Sequence, residues 1–556
     1  MKDFSKEIKA YALKNAVEYG KAEADKIIGK LFQHGLDKKD IKQVMPLIVE
    51  AIKEINKLSN NEREKLLIDY QRYVKEREEK EKELSELPNS GKNMIFRLAP
   101  FPSGALHIGN AKTILLNSLY AEKYNAKLLL IMDDTIGSEE KPITLESYKL
   151  IEEALEWLDV KYQKPEIYKS DRIEIYYKYA LDLINKGRVY VCHCKQEILR
   201  KNRENGIECA HRSLRVKDNL DEWKKMFSAS EGSAVLRLKT DMQNPNPAFR
   251  DRVLFRIAER KHPRIGNKYR VWPTLEMTWS IDDHLLGITH IIRGNDLMIE
   301  TEMEKFIWDI FGWKHPETIH TGLVKIDLNE AKISKSKAQK EVASGKFTGW
   351  DDPRTWSIQA LKRRGIKAES IREFVKEIGL NKSDITIPID SLYAINRKLI
   401  DSDAERFYFV EKPIKLEIKG KPGIKEISKE IHPDKKEKRK VKVDEIYISK
   451  NDINELKGQG IRLLHLYNIK LPAKGKRAEF TSLDNKNIPK IQWVSSGGKV
   501  KILMPSGTWI SGLAESSIRN LKPGEVVQFE RFGFCRFDAA KKEGKEEIYE
   551  FWFAHK

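Results

Sequence analysis

Only four of the 556 residues are cysteine, and three of those fall between positions 192 and 209. A chain so poor in cysteine has no disulfide framework to hold it together and is expected in a reducing compartment, the cytoplasm. No run approaches the ~18 apolar residues of a membrane span. The first residues, "MKDFSKEIKAYALKNAVEYG", alternate charge with apolar positions and lack the apolar core of a signal peptide. There is no internal repeat. The one biased tract, "HPDKKEKRKVK", reads as a solvated basic loop. Secreted disulfide scaffolds, helical membrane proteins and repeat arrays are therefore excluded as readings.

What the chain does have is length, apolar residues and positive charge. Hydrophobic residues make up 40% of it, enough for ordinary cores. Its length implies roughly three to five domains. Lys and Arg number 103 against 84 Asp and Glu, a surplus of +19. Such a surplus points to a polyanionic partner, with nucleic acid the foremost candidate.

The amino-terminal segment reads as helices. "IKAYALKNAVEYG" sets apolar residues at helical spacing, with Gly20 as terminator. "IKQVMPLIVEAIKEINKL" repeats the pattern, and Pro46 must kink that helix or mark its first turn. "NEREKLLIDYQRYVKEREEKEKELSEL" is mostly charged and reads as an exposed helical spacer. From Asn93 the texture changes. The strand "NMIFRLAP" is followed by a loop and the helix "NAKTILLNSLYAEKYN", then by the strand "AKLLLIMDD" and the helix "TLESYKLIEEALEWLDV". This alternation predicts right-handed crossovers and a doubly wound parallel sheet, whose ligands bind at the carboxyl ends of strands. Between about Arg188 and Lys261 a cysteine-containing insert breaks the pattern. After about Leu399 the chain turns strand-rich, in "PIKLEIKG", "KVKVDEIYIS", "EVVQFERFGFCRFD" and "EEIYEFWFAHK". These segments predict one or two antiparallel barrels.

Two stretches carry chemistry. "APFPSGALHIGN" runs from a strand end into a helix start, where backbone N–H groups and the helix dipole attract an anion. Gly109 would leave room for a flat ring on the backbone, and His107 can donate to a phosphate. Far downstream, "KISKS" (Lys332 to Ser336) is a polar loop whose lysines can close over phosphates and stabilise charge developing during in-line attack. A third cluster, in the insert, pairs Cys192-x-Cys194 with Cys209-x-His211. Four such ligands suit a tetrahedral zinc that staples a small insert, with His193 as a competing ligand.

"HIGN" and "KISKS", in this order, resemble the His-x-Gly-His and Lys-Met-Ser-Lys-Ser signatures of class I aminoacyl-tRNA synthetases. "FRLAPFPSGALHIGN", "DDT" at Asp133 to Thr135 and "SIDDHLLGITHIIRG" resemble the glutamyl/glutaminyl subgroup. "TGWDDPR", Thr348 to Arg354, nearly repeats a Ser-Gly-Trp-Asp-Asp-Pro-Arg motif of the archaeal glutamyl members. The resemblance spans essentially the whole chain.

That resemblance implies a multidomain α/β plus all-β architecture. Helices would occupy residues 1–90. A Rossmann-type catalytic domain would span 91–189 and 261–340, split by an acceptor-stem insert at 190–260. A helical stem-contact region would follow at 341–398, and anticodon-reading barrels at 399–556. It implies ATP with Mg²⁺ as cosubstrate, L-glutamate as amino acid and tRNA for glutamate as acceptor, with tRNA for glutamine left open as a second acceptor. Structural zinc is expected, membrane contact is not, and the N-terminal helices are candidates for holding a protein partner.

By the same resemblance, His107, Lys332 and Lys335 would serve catalysis, with Lys337 competing with Lys335. Pro100, Gly104, His107, Gly109, Asn110, Lys332, Ser334, Lys335 and Ser336 would hold ATP. Arg97, Ser103, Asp133 and Arg293 would hold the amino acid, Asp133 at its ammonium and Arg293 at its side-chain carboxylate. Local pairing of Arg293 with Asp296 or another local acid, and a salt bridge under the sheet for Arg97, are the plain alternatives. Two departures stand out: Ile131 replaces an arginine, and Leu275 a tyrosine, that the family usually carries. Rival readings are a glutaminyl-tRNA synthetase, a small-molecule nucleotidyltransferase and a non-catalytic tRNA-binding protein.

Overall fold

The computed structural model describes residues 3–37, 40–75, 83–136, 141–327, 335–473, 475–495 and 497–556. The chain separates into two units, Met1–Lys82 and Glu83–Lys556. Among the described residues no helix is long and apolar enough to cross a membrane.

The first unit is helical: Ser5–Tyr19, Ala24–Leu31, Ile41–Ile55 and Asn60–Tyr70. Gly20 ends the first helix at φ +83°, a conformation that favours glycine. Pro46 falls in the second turn of the third helix, beyond the first turn that would accommodate it most easily. The charged run is not the plain spacer that its composition suggests. Its helix starts at a Ser59–Glu62 capping box and stops at Tyr70. Leu66, Leu67 and Tyr70 pack against a core that includes Ile8, Leu13, Ile27 and Val44. Residues 76–82, the middle of the run, lie outside the described residues.

The second unit is built on parallel strands. Ile95–Leu98 pairs with Lys127–Met132, which pairs with Gln163–Tyr168. Helix Ile108–Lys123 makes the first crossover and Leu145–Trp157 the second. A second parallel pair, His290–Gly294 with Glu317–Thr321, meets the other edge of Ile95–Leu98. There the Thr289 N–H donates to the Ile95 carbonyl (3.0 Å) and the Ile95 N–H to Thr289 Oγ1 (2.9 Å). Ile95–Leu98 thus has a strand on each side, reached by connections running in opposite directions. That is the switch point where doubly wound sheets bind ligands.

The insert is a four-stranded antiparallel sheet: Val189–Cys192, Val235–Leu238, Val253–Ile257 and Val271–Pro273. It has more core than its sequence suggests. Val189, Leu236 and Leu254 pack with Trp223, Trp272 and helix Ile173–Asn185 in one large cluster. Pattern reading missed both that helix and the strand Gln163–Tyr168.

The carboxyl-terminal strands form two antiparallel-rich sheets that nearly close into barrels. In the seven-stranded sheet the two edge strands, Arg406–Phe407 and Phe409–Glu411, are separated only by Tyr408, so the chain itself brings the edges together. In the six-stranded sheet, Tyr447 on one edge and Val494 beyond the other exchange backbone hydrogen bonds of 2.8 and 3.0 Å. The basic tract expected to be a loop contributes a strand: Lys438–Lys442 pairs with Glu426–Glu430. Two cations on this hairpin, Lys429 (3.0 Å) and Arg439 (2.7 Å), hold the buried Glu515 carboxylate. Burying that acid would be costly without them.

One short helix, Ile358–Arg364, joins the barrels to the parallel sheet. Arg363 forks onto Asp538 (2.7 and 3.1 Å), and the buried Arg364 donates to the carbonyls of Phe553 and Ala554 (3.1 and 2.7 Å). Next to it, the buried His555 ring accepts at Nε2 from Asn396 Nδ2 (2.9 Å). Burial drives the His555 pKa down to about 4. Between the ordinary histidine value and pH 4, the unfolded chain therefore takes up a proton that the native ring refuses, and stability falls as pH falls. The stability difference between the wild type and His555→Gln, measured as unfolding midpoints, should accordingly shrink from pH 6.5 towards pH 4. A difference constant across that window would mean that the native ring takes up its proton as readily as the unfolded chain does.

Candidate functional site

The loop after Ile95–Leu98 runs into helix Ile108–Lys123 with His107 at the cap position. His107 Nδ1 accepts from the Gly109 N–H (3.0 Å), while Asn110 Oδ1 accepts from the His107 N–H (3.4 Å). The imidazole therefore does cap work. The space a Cβ at Gly109 would need is taken by the His107 ring, 2.8 Å away, and is not left open as expected. Gly104 has φ +143°, and a Cβ there would lie 2.3 Å from the Trp350 ring. This close approach is the reason for glycine. It also shows what the "TGWDDPR" motif does: Trp350 packs on the signature loop. The following segment straps the loop on both sides of His107, with the Ile358 N–H on the Leu106 carbonyl (2.8 Å) and the Ile108 N–H on that of Trp356 (3.3 Å).

A cleft of about 820 Å³ opens at the strand ends. It brings together Arg97, Pro100, Ser103, Gly109, Asn110, Asp133 and Arg293 from the sequence reading. His107 and Gly104 lie in the adjoining loop and do not line it. Lys332 and Ser334 lie outside the described residues. Lys335 and Ser336 begin the helix Lys335–Ala343.

The cleft floor is a buried ion network. Arg97 forks onto Asp283 (2.5 and 3.0 Å). Arg293 forks onto Glu304, with NH1 at 3.0 Å from Oε1 and NH2 bonded to Oε2. Its acid partner is thus Glu304, on the next helix, and not the neighbouring Asp296. Asp133 is ion-paired with the fully buried Lys169 (2.8 Å). Burial works against the Arg97 charge, but Asp283, with Glu304 and Asp133 behind it, more than offsets this and holds its pKa above the usual value. Burial pushes the Glu304 carboxyl up, and Arg293 pulls it only part of the way back. Lys169, Asp283 and Glu304 escaped the sequence reading. Their one sequence signal is charge inside apolar helix or strand patterns, which does not name a partner.

In the insert, Cys192, Cys194, Cys209 and His211 place one ligand atom each within 4.8 Å of one another. Cys209 Sγ lies 3.5 Å from Cys192 Sγ, 3.4 Å from Cys194 Sγ and 3.0 Å from His211 Nδ1. Ligands on a tetrahedral ion with bonds of ~2.3 Å stand about 3.8 Å apart, so the cluster suits such an ion with little movement. His193 pairs with Glu222 (2.8 Å) and is not part of the cluster.

Residues 93–402 match the family model for the catalytic domain of class I tRNA synthetases (E and Q). Residues 404–486 and 479–538 match two models for the anticodon-binding domain of the same family. The chain is 41% identical to a glutamate–tRNA ligase of Pyrococcus abyssi and 42% identical to one of Pyrococcus furiosus, with 98% of each chain covered in both comparisons. It is 40% identical to a glutamate–tRNA ligase of Methanocaldococcus jannaschii over 96% of this chain and 97% of the relative.

The chain belongs to the class I tRNA synthetases of the glutamate and glutamine group.

As a synthetase of this group it departs from the expected pocket where Ile131 and Leu275 stand. Ile131 is buried in the strand Lys127–Met132, and Leu275 starts helix Leu275–Leu285 and lines the cleft. Neither offers a polar group, so the polar work of the floor falls to the ion pairs and to Trp279 beside them. The insert of this synthetase generates a direct expectation for its cysteines. Protein purified without added metal should carry about one tightly held ion per chain by elemental analysis. Cys209→Ser should lose that ion and make residues 190–260 more sensitive to protease. Metal-free wild-type protein with freely titratable thiols would contradict this.

Proposed function

We propose that this synthetase is a glutamate–tRNA ligase of the cytoplasm. In the first step the α-carboxylate of glutamate attacks the α-phosphate of ATP, giving glutamyl-adenylate and pyrophosphate. In the second, the 2′-hydroxyl of the terminal tRNA adenosine attacks the acyl carbon and AMP leaves. The observation that carries the reading is the fixed positive charge at the cleft floor. Arg293 and Arg97 are buried there, held rigidly by acids on their far sides. A substrate carboxylate brought out of water needs such a charge, whereas the amide of glutamine does not.

The remaining assignments follow from position. The N-terminus of helix Ile108–Lys123 faces the strand ends and suits the phosphates of ATP, whose charge Mg²⁺ would also offset. Lys332 and Lys335, with Lys337 beside them, would stabilise charge growing at the α-phosphate. Asp133 would receive the substrate ammonium, sharing its carboxylate with Lys169. Zinc suits the Cys192, Cys194, Cys209 and His211 set, three thiolates and an imidazole, and would fix the end of the insert's first strand. The insert would meet the acceptor stem and the barrels the anticodon.

Charging of purified tRNA for glutamate and for glutamine with labelled glutamate and glutamine tests the reading. Glutamate should be joined to tRNA and glutamine should not. Replacing Arg293 alone would strand Glu304 as an unpaired buried acid, so the informative variant is Arg293→Gln with Glu304→Gln. It should keep ATP binding and lose about 2–5 kcal/mol in kcat/KM for glutamate. Equal loss for both amino acids would make Arg293 structural. Binding of tRNA should weaken steeply with salt as phosphate contacts release counterions, while the KM for ATP changes far less. A salt-independent tRNA affinity would remove the basic surface from the account.

A further inference from the structure

The cleft floor contains a tryptophan that neither the signatures nor the ion pairs explain. Trp279 lines the cleft from helix Leu275–Leu285 and is 5% exposed. Three cations crowd its ring: Arg97 at 4.7 Å, Lys169 at 4.9 Å and Arg293 at 5.1 Å from the centroid. Cations at this range are attracted by the ring's quadrupole, most strongly for an indole. Each also has its own acid: Asp283 for Arg97, Asp133 for Lys169 and Glu304 for Arg293. The network is therefore neutral in itself. Each acid engages only part of its cation, so an arriving carboxylate meets the positive charge through the N–H groups that the acids leave open.

Two of them on this floor are fully buried. Among the described residues, neither Arg293 Nε nor Trp279 Nε1 has a hydrogen-bond partner, although both atoms are buried. The acid Glu304 engages NH1 and NH2 of Arg293, which turns the Nε edge away from that pair. A buried donor without an acceptor is costly, and native proteins keep few of them. Two unpaired donors on neighbouring side chains lining one cleft point to an acceptor that arrives from outside.

We propose that Trp279 is a specificity-determining residue of the amino-acid pocket. Its indole N–H and the Nε–H of Arg293 together receive the side-chain carboxylate of the substrate, and its ring holds the three cations in register. A carboxylate presents only acceptors and satisfies both donors. A carboxamide presents one acceptor oxygen and an NH₂ group, so it sets a donor against one of the two. The site thus selects an acid over its amide by hydrogen bonding as well as by charge. This rests on the glutamate reading given above.

Trp279→Phe in the full-length enzyme removes the N–H and keeps a ring for the cations. It should raise the KM for glutamate by about tenfold to a hundredfold, the range for a bond to a charged group, with kcat changed less. The KM for ATP and the residual rate with glutamine should stay as in the wild type, so discrimination falls by the same factor. Unchanged glutamate kinetics, or equal losses for both amino acids, would overturn the proposal. In the wild type labelled with ¹⁵N at its indoles, glutamate should shift an indole N–H resonance that glutamine leaves in place. No such shift would overturn it even if the phenylalanine variant fails to fold. Wild-type enzyme that charges no tRNA with glutamate would instead refute the glutamate reading. Normal charging by the wild type together with an indifferent Trp279→Phe refutes only the role of Trp279.

Discussion

Three positive charges are buried against one indole at the switch point of a parallel sheet, and the rest of the catalytic unit is arranged to make that tolerable. An isolated ion in such a place would lose several kcal/mol of hydration. Here each cation meets an acid delivered from a different element. Arg97 comes from the first strand and Asp283 from helix Leu275–Leu285. Arg293 comes from the strand His290–Gly294 and Glu304 from the helix after it. Lys169 follows the third strand and Asp133 follows the second. The ion pairs therefore act as cross-braces between secondary-structure elements as well as a binding surface. Breaking one of them would leave an uncompensated charge in the floor of the cleft.

The signature loop is braced from outside the sheet. Trp350 fills the space that Gly104 leaves, and residues 356–358 bond to the backbone on both sides of His107. Helix Ile358–Arg364 continues from this strap, and its last two arginines grip the seven-stranded barrel at Asp538, Phe553 and Ala554. A single short helix thus has the signature loop at one end and the barrel at the other. Its caps are local and strong: the Ser357 hydroxyl accepts from the Ala360 N–H (2.9 Å), and Gly365 ends the helix at φ +93°. Backbone bonds at its start and arginine bonds at its end tie this helix to the loop and to the barrel.

The insert keeps its apolar core apart from its cysteine cluster. Its four strands bury a large apolar cluster, so the sheet does not depend on an ion for its existence. The cysteine cluster sits where that core ends, with Tyr190 and Leu199 as its near apolar neighbours. A metal there would fix the chain ends beyond the sheet, where side-chain packing has run out.

By itself the sequence determined what local physics can decide. Strand–helix alternation marked the parallel sheet, and Gly20 marked the end of a helix. The spacing of Cys192, Cys194, Cys209 and His211 marked four side chains that the fold brings together, and "HIGN" marked a helix start. Each of these is a pattern within a few residues, or a pair of such patterns, and each depends on backbone geometry that a short segment fixes for itself. Only the tertiary structure decided which acid meets which arginine. Arg293 had Asp296 three residues away and took Glu304 eleven residues away, because helix Met298–Phe311 brings Glu304, in its second turn, to the guanidinium. It decided too that His193 turns to Glu222 and leaves the cluster, and that a basic tract pairs as a strand and brings Arg439 to the buried Glu515. Trp279 drew no reading from the sequence. Three cations meet at its ring only because chain segments distant in sequence converge there, and such long-range convergence leaves no periodic trace in the sequence.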